Sequence, residues 1–374
     1  VNHAGWSEYP LLGTRDEGRA GSSMDEKLIP TTLVGSYPQP TWLVDKDMLM
    51  GNSPPRVRMR DVWKVPAREL EEAQDDATLT AIHDQERAGI DIISDGEMRR
   101  WYFVQSFYKR IQGIELEPEL RKVGLYGYDS PPRYKAVEKL FVDEGLGLVE
   151  EYKYARANTS KPIKVTCPGP LTITIHVRPG DVYKDRVEMS WEFAKIINAE
   201  LKRLVDEGVD YIQIDEPSFA VIPGQLDDWV DLYNATVEGV DARIALHICF
   251  GNLTSRPRGK RSYRWMFPKA LECKCDELVL EYSNREMSEA DLWGEWASDR
   301  KLGAGVIDVK SFHVETPEDV AERIRLLLQY GPPEQMVINP DCGFFQLPRW
   351  ITQLKLRNMV EGTKLVRREL GVEE

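Results

Sequence analysis

The chain has 374 residues, of which 42% are hydrophobic and 30% charged, a composition typical of folded proteins and not of disordered ones. Its formal net charge of −13 argues against nucleic-acid binding and against anionic membrane surfaces, because both need clustered Lys and Arg. No apolar run reaches the roughly 18 residues of a membrane-spanning helix. Five scattered cysteines do not suggest a disulfide framework, and no basic-then-apolar leader opens the sequence, so we expect a reduced, cytoplasmic protein.

The chain divides into a short polar start and one long patterned region. Residues 1–28 are rich in glycine, serine and charge, which predicts an N-terminal arm. In residues 29–374, short apolar runs alternate with amphipathic stretches such as 187–207 and 317–329, which predict helices. The apolar runs predict eight strands, at 32–34, 90–93, 163–166, 211–214, 244–246, 278–280, 302–307 and 336–338.

Strands that alternate with helices pair in parallel through crossover connections. Eight such units favour an α/β fold of the (β/α)8 TIM-barrel type, whose active site lies at the C-terminal ends of the strands. An open doubly wound sheet is the alternative. The connection at 99–161 is too long for an ordinary loop and contains predicted helix around 134–158, so we interpret it as an insertion that either caps the barrel mouth or decorates its side.

Four potential metal ligands follow predicted strands. His247 and Cys249 are spaced i, i+2, which puts both side chains on one face of a strand. Glu281 ends the next strand and Cys342 the last, so a barrel would bring all four to one rim. One nitrogen, two thiolates and a carboxylate suit tetrahedral Zn²⁺. An isolated His-x-Cys pair can equally be core packing, which is also how we interpret the Cys-Lys-Cys stretch at 273–275.

The charge of such a site indicates its chemistry. Two thiolates and one carboxylate leave Zn²⁺ with a net charge of about −1, which makes it a poor activator of water. A zinc site of this kind can still bind a substrate thiol as the thiolate, and the carboxylate is the ligand most easily displaced by the incoming sulfur. The pattern therefore favours alkyl transfer to sulfur over hydrolysis.

Two acidic residues and a serine also fall at strand ends. Glu97 and Asp215 end the second and fourth predicted strands, where a carboxylate pair can hold a substrate ammonium group. Acid–base work, or ion pairs with arginines such as Arg99, are the alternatives. Ser36 follows the first strand and can bind a substrate carboxylate together with nearby backbone N–H groups.

A cationic group follows the seventh predicted strand. Asp308 and Lys310 end that strand, and His313 lies three residues further on. A cation beside an anionic metal site can protonate a leaving group or screen charge, whereas a solvated loop lysine would do neither. His176, after the third strand, either lines the pocket or is a structural histidine.

Six stretches, in order and spacing, make the chain from about residue 31 onwards resemble the cobalamin-independent methionine synthase family, specifically its C-terminal catalytic barrel. They are VGSYP (34–38), SDGE (94–97), GPLT (169–172), IQIDEP (212–217), HICFGN (247–252) and NPDCG (339–343). The resemblance implies that zinc is bound by His247, Cys249, Glu281 and Cys342. It also implies that Ser36, Glu97 and Asp215 hold the amino-acid end of homocysteine, whose zinc-activated sulfur accepts a methyl group to form methionine.

The resemblance also carries expectations about the methyl donor. Long members of the family have a second, N-terminal barrel that helps to bind methyl-folate, and this chain resembles the short, core form. For that form the implied donor is a methylated corrinoid or corrinoid protein. Lys310 occupies the position of the histidine proposed as the acid in the long enzymes, and an aromatic residue that they use for folate is replaced near His176.

Two other functions fit the same residues. A zinc alkyltransferase could act on another thiol, such as coenzyme M, with an epoxide or a methylcorrinoid as donor. Glu97 and Asp215 favour a thiol that carries an ammonium group over one that carries a sulfonate. A non-catalytic zinc- or thiol-binding protein is the third possibility, and it would need neither acidic residue.

Overall fold

The computed structural model describes residues 27–46, 62–117, 133–221, 225–252, 261–295 and 300–372, so residues 1–26 of the predicted arm lie outside the described part. The strands are β1 (Gln112–Leu116), β2 (Tyr134–Phe141), β3 (Val165–Pro168), β4 (Val177–Arg178), β5 (Tyr211–Asp215), β6 (Arg243–Ile248), β7 (Glu277–Leu280), β8 (Lys301–Ile307) and β9 (Met336–Pro340). The α-helices are α1 (Leu70–Ala88), α2 (Leu148–Ala157), α3 (Arg186–Asp206), α4 (Ser218–Val221), α5 (Leu226–Thr236), α6 (Leu292–Glu295), α7 (Pro317–Leu327) and α8 (Arg349–Glu369).

Six parallel strands form the central sheet, in the order β3-β5-β6-β7-β8-β9. These strands agree with six of the eight predicted ones to within two residues at either end. Helices α3, α5 and α7 lie in the crossovers that parallel pairing requires. The α/β fold with a parallel sheet, predicted from the alternating pattern, is therefore confirmed.

The other two predicted strands, 32–34 and 90–93, are not strands in the structure. Each is held by isolated parallel bridges instead of a ladder, and the chain bends at Gly35 and turns at residues 96–99. Pro30 also lacks the N–H group that would extend pairing with β9. The bridges join Thr31 to Ile338, Thr32 to Ile92, and Ile93 to Ile163.

A small apolar cluster, separate from the main core, connects these bridged segments to the sheet. Tyr211 of β5 and Ala245 of β6 belong to this cluster and point to one face of the sheet. The next residues along those strands, Ile212 and Leu246, point to the other face and belong to the main core. The bridged segments therefore pack on the face of the sheet that carries Tyr211 and Ala245. The cluster consists of Val34, Ile92, Tyr211, Ala245 and Val279.

The crossover helices begin at recognisable caps. Asp185 accepts a hydrogen bond from the Glu188 N–H and starts α3. Thr316 and Asp319 form a reciprocal capping box at the start of α7, with Pro317 as its first residue. Both helices agree with their predicted positions. Within the described ranges, no helix is both long and apolar enough to cross a membrane.

The insertion at 99–161 differs from its prediction at the start of the segment predicted as helix. The part predicted as helix around 134–158 is the strand β2 followed by the helix α2. Ala136 and Leu140 are buried four residues apart, a spacing that suits a helix, but this segment pairs antiparallel with β1 and parallel with β4. Pairing with distant segments overrode the local pattern, as is common for strands.

Candidate functional site

A cavity of about 520 Å³ opens at the C-terminal ends of the parallel strands. It is lined by residues that follow β5, β6, β9 and both bridged segments, and by residues 100–104 at the start of the insertion. Six residues singled out from the sequence line it together, although they are scattered over more than 300 positions of the chain. They are Ser36, Glu97, Asp215, His247, Cys249 and Cys342.

Three potential metal ligands meet on one side of this cavity. The donor atoms of His247, Cys249 and Cys342 all lie within 4.8 Å of one another. The Sγ atoms of Cys249 and Cys342 are 3.7 Å apart, although 93 residues separate them in sequence. The parallel register explains the meeting, because His247 pairs with Asp215 of β5 and Cys342 follows β9 at the same end of the sheet.

His247 is suited to bind a metal ion. Its side chain is buried, and neither ring nitrogen has a hydrogen-bond partner among the described residues. Burial, together with the positive charges of Lys164 and Lys310, lowers the pKa of His247 to about 3, so the ring is neutral at physiological pH. The nearest carboxylate oxygen, Asp215 Oδ1, is 3.4 Å from Nδ1. A buried imidazole without hydrogen-bond partners is costly, and a cation bound by the neutral ring would remove that cost.

A hydrogen bond joins the two thiols and shifts their pKa values in opposite directions. It lowers the pKa of the Cys342 thiol. The same bond, and then burial, raises the pKa of Cys249 well above its usual value. A bound divalent cation would supply the charge that a second thiolate needs. The donor set therefore fits the zinc ion that the sequence predicted.

Glu281, the fourth predicted ligand, lies beside this group but outside the set of mutually close donor atoms. It is fully buried, and its Oε2 atom accepts hydrogen bonds from Lys310 Nζ at 2.9 Å and from the Phe250 N–H at 3.3 Å. Its Oε1 atom has no hydrogen-bond partner within the described ranges, although Arg261 NH2 lies 3.7 Å from it. One carboxylate oxygen is thus held by two hydrogen bonds, while the other makes this longer ion-pair contact.

The three residues predicted as catalytic after the seventh strand have different surroundings. Lys310 is buried against Glu281 and does not line the cavity, which excludes the solvated-lysine alternative. Burial lowers the pKa of Lys310, but the charges of Glu281 and Cys342 together raise it above its usual value. Asp308 accepts a hydrogen bond from the Lys310 N–H, and His313 is exposed. The geometry therefore favours charge screening over proton donation by Lys310.

The opposite side of the cavity presents a serine and two carboxylates. Ser36 lies against Gly343, where a Cβ atom would approach Ser36 Oγ to 2.0 Å, so a larger residue at 343 would displace the serine hydroxyl from its position. Glu97 has a left-handed backbone with a φ of 58°, a conformation that costs energy and is often found at functional sites.

Both carboxyl groups are strongly influenced by burial. Burial, and then the charge of Glu97, raises the pKa of Asp215 well above its usual value. Burial also raises the pKa of Glu97, although the positive charge of Arg100 opposes the change. Two like charges that share a buried site favour a cationic guest, because an ammonium group restores the ionised form of both.

Arg99, predicted as the alternative partner of these acids, does not contact either of them within the described ranges. Arg99 instead forms an ion pair with Asp75 of α1. Arg100 is the residue that lines the cavity, with its NH1 atom 3.2 Å from Glu97 Oε1. Two adjacent arginines in a loop cannot be told apart by strand or helix periodicity, so no sequence signal distinguished them.

An aromatic wall completes the cavity. His176 and Tyr102 contact each other with ring centroids 5.7 Å apart, and both line the cavity together with Trp101, Phe103 and Phe345. His176 thus lines the pocket, the first of its two predicted roles. The Cys-Lys-Cys stretch does not belong to any metal-binding group within the described ranges, and its two cysteines are unbonded.

Glu216 fixes the loop that follows β3 next to the site. It is fully buried and accepts hydrogen bonds from the Leu171 N–H and the Thr172 hydroxyl, each at 2.8 Å. Burial raises the pKa of Glu216 to about 7, although these hydrogen bonds oppose the change.

This pKa predicts a pH dependence of stability. A carboxyl group with a pKa of about 7 when folded and an ordinary value of 4.5 when unfolded stabilises the folded state only while it is protonated. The free energy of unfolding of the wild type, relative to Glu216→Gln, should therefore fall by about 3 kcal/mol between pH 4.5 and 7 and level off above. Denaturant unfolding of both proteins at several pH values measures the difference, and a difference that stays flat would contradict it.

Comparison with known proteins identifies the family. Residues 29–365 match the family described as cobalamin-independent synthase, catalytic domain. The chain belongs to this family. Methionine synthase from Sulfurisphaera tokodaii is 35% identical over 93% of this chain and 95% of the relative, and that from Sulfolobus acidocaldarius is 36% identical over 92% and 94%.

Solved structures agree with this assignment. A B12-independent methionine synthase from Shewanella sp. W3-18-1, in complex with selenomethionine, superposes with a TM-score of 0.79 at 33% identity and covers 92% of this chain and 99% of that one. A methyltransferase from Methanosarcina mazei, at 14% identity and a TM-score of 0.57, shares the fold. The family description names a synthase that works without cobalamin, which opposes the methylated corrinoid expected as donor from the sequence.

Proposed function

We propose that this protein transfers a methyl group to the thiol of homocysteine and so forms methionine. The observation that carries the proposal is the meeting, in one cavity, of a His-Cys-Cys group with a serine and two buried carboxylates. One side of the cavity is suited to a thiol and the other to an amino acid. Membership of the family supports the proposed reaction. The selenomethionine bound to the Shewanella relative, which is the selenium analogue of the proposed product, supports an amino-acid ligand.

We further infer that residues 29–374 form a single (β/α)8 barrel with the insertion at 99–161. The three parallel bridges place the segments at 31–32 and 92–93 between β9 and the residue that precedes β3. The inner apolar cluster draws on both segments and on three strands of the sheet. The bridges and the cluster together support a closed barrel, in which the segments at 31–32 and 92–93 are the two shortest of eight strands.

Zinc would be held by His247, Cys249 and Cys342, with Glu281 as the fourth ligand through its Oε1 atom, which accepts no hydrogen bond within the described ranges. A zinc ion in that position supplies a Lewis acid that lowers the pKa of a bound thiol. The protein's own contribution is a neutral histidine, a pair of hydrogen-bonded cysteines and a carboxylate already anchored by Lys310.

The amino-acid end of homocysteine would be oriented by the other side of the cavity. Glu97 and Asp215 accept the ammonium group, and Ser36 donates to the carboxylate. The aromatic wall excludes water from the sulfur. In the reaction, the thiol loses its proton, the new bond between sulfur and the methyl carbon forms, and the bond between that carbon and the donor breaks.

The two other functions are less well supported. The sulfonate of coenzyme M would be repelled by the two carboxylates that line the cavity. A zinc store needs no cavity, whereas this one has about 520 Å³ beside the potential ligands.

The proposed function is tested by incubating the zinc-loaded protein with homocysteine and either methylcobalamin or methyl-tetrahydrofolate, and measuring methionine. We expect methionine from at least one donor, and the family description favours the folate over the cobalamin. Removal of zinc by a chelator should stop the reaction. Homocysteine left unmethylated by the zinc-loaded protein with both donors would refute the proposal.

Lys310→Met should slow methyl transfer while leaving the zinc content unchanged. The change leaves Glu281 fully buried without its closest cation, and breaking a buried pair in this way costs about 3–5 kcal/mol. We therefore expect the metal-free variant to unfold at lower temperature, and zinc to recover part of the loss. The exposed Lys274, changed to Met, is the control. A Lys310→Met protein with wild-type rate and stability would show that the pair has no role.

A further inference from the structure

The charge of the proposed ammonium site depends on Glu151, which is not among the residues that line the cavity. Arg100 lies between two carboxylates, Glu97 on the cavity side and Glu151 on the side of the insertion. Its side chain is 3% exposed, so its charge must be balanced by neighbours and not by water. How the two carboxylates share this cation decides how much negative charge the cavity keeps.

The distances show that Glu151 takes the larger share. Arg100 donates from Nε at 3.0 Å and from NH2 at 2.8 Å to the same Oε2 atom of Glu151. Glu97 receives only the longer NH1 contact of 3.2 Å. NH1 also donates to the Thr166 hydroxyl at 3.1 Å, and that hydroxyl in turn donates to Glu97 Oε1 at 2.8 Å. Arg100 thus lies at the wall of the cavity with its two shorter carboxylate contacts directed to Glu151.

We propose that Glu151 is a positioning residue that keeps Arg100 from neutralising Glu97, and so determines the preference of the site for an ammonium-bearing thiol. Without the Glu151 charge, Glu97 is the carboxylate that Arg100 still contacts. The pair at Glu97 and Asp215 would then offer an ammonium group about one negative charge less. This inference rests on the proposed function, and it assigns a task to α2 of the insertion, which carries Glu151.

The test compares two thiols by calorimetric titration of the zinc-loaded protein: homocysteine, and 4-mercaptobutanoate, which lacks only the amino group. For Glu151→Gln we expect homocysteine to bind about tenfold more weakly, the typical size of a charge-assisted hydrogen bond, with 4-mercaptobutanoate within about twofold of wild type. Glu150→Gln is the matched control, since Glu150 is the preceding residue of the same helix and is 59% exposed. The double change Arg100→Gln with Glu151→Gln should restore much of the lost preference, because Glu97 is then freed from the cation.

Different failures have different meanings. A Glu151→Gln protein with the wild-type ratio of affinities, or with both thiols weakened equally, would overturn the inference and leave the proposed function intact. Wild-type protein that binds neither thiol would overturn both. If Glu151→Gln does not fold, Glu151→Asp serves instead, because the shorter side chain loosens the same contact. Its ratio must fall in the same direction, and an unchanged ratio overturns the inference.

Discussion

Zinc and methyl transfer are expected to be lost together when Cys342 is replaced by serine. The Sγ atom of Cys342 lies 3.7 Å from that of Cys249, and its thiol has the lowered pKa of the pair. A serine hydroxyl does not ionise near neutral pH, so the variant lacks the ligand that carries negative charge most readily. Because outer partners of metal ligands alone account for about 10–100-fold in affinity or activity, the loss here should exceed about 100-fold. Metal analysis after dialysis and methionine formation measure the two effects.

Cys275→Ser is the matched control for this experiment. Cys275 is, like Cys342, partly buried and not in a disulfide, but it lies outside the group of close donor atoms. The Cys275→Ser protein should retain zinc and activity. Cys249→Ser should lose both, as Cys342→Ser does. A Cys342→Ser protein that keeps a full equivalent of zinc and normal turnover would remove Cys342 from the ligand set.

Asp215→Asn should weaken the binding of homocysteine more than any other substitution on the amino-acid side of the cavity. The substitution removes a charged acceptor and keeps the shape of the side chain, so it costs about 1.5–3 kcal/mol, or roughly 10–100-fold in KM for homocysteine. The turnover number for 4-mercaptobutanoate, which has no ammonium group, should change little. Steady-state kinetics with the two thiols separate the effects.

The control and the contradicting result are both simple. Asp241→Asn makes the same chemical change at an exposed position before β6, at the end of the sheet away from the cavity, and should have no effect. If Asp215→Asn keeps the wild-type preference for homocysteine over 4-mercaptobutanoate, the carboxylate does not bind the ammonium group.

The sequence by itself determined the parts of the fold that repeat with a short period. Strand and helix periodicity placed six strands of the parallel sheet and the helices α3 and α7 within two residues. Parallel strands that belong to one sheet end on the same side, which predicted that His247, Cys249 and Cys342 lie close together. Nothing in the sequence near residue 342 indicates a partner at 249. Side-chain alternation and strand direction are local properties, which is why they can be read from neighbouring residues.

Contacts between distant residues were decided only by the tertiary structure. The segment Tyr134–Phe141 has the local character of a helix and became a strand because β1 and β4 offered backbone partners. The bridged segments at 31–32 and 92–93 were shortened because their loops turn into the site. Arg100 rather than Arg99 faces Glu97, and Lys310 holds Glu281, because each buried charge needs a counter-charge within about 4 Å. Which residue supplies that counter-charge depends on how separate segments pack, and residues far apart in sequence carry no local pattern that records it.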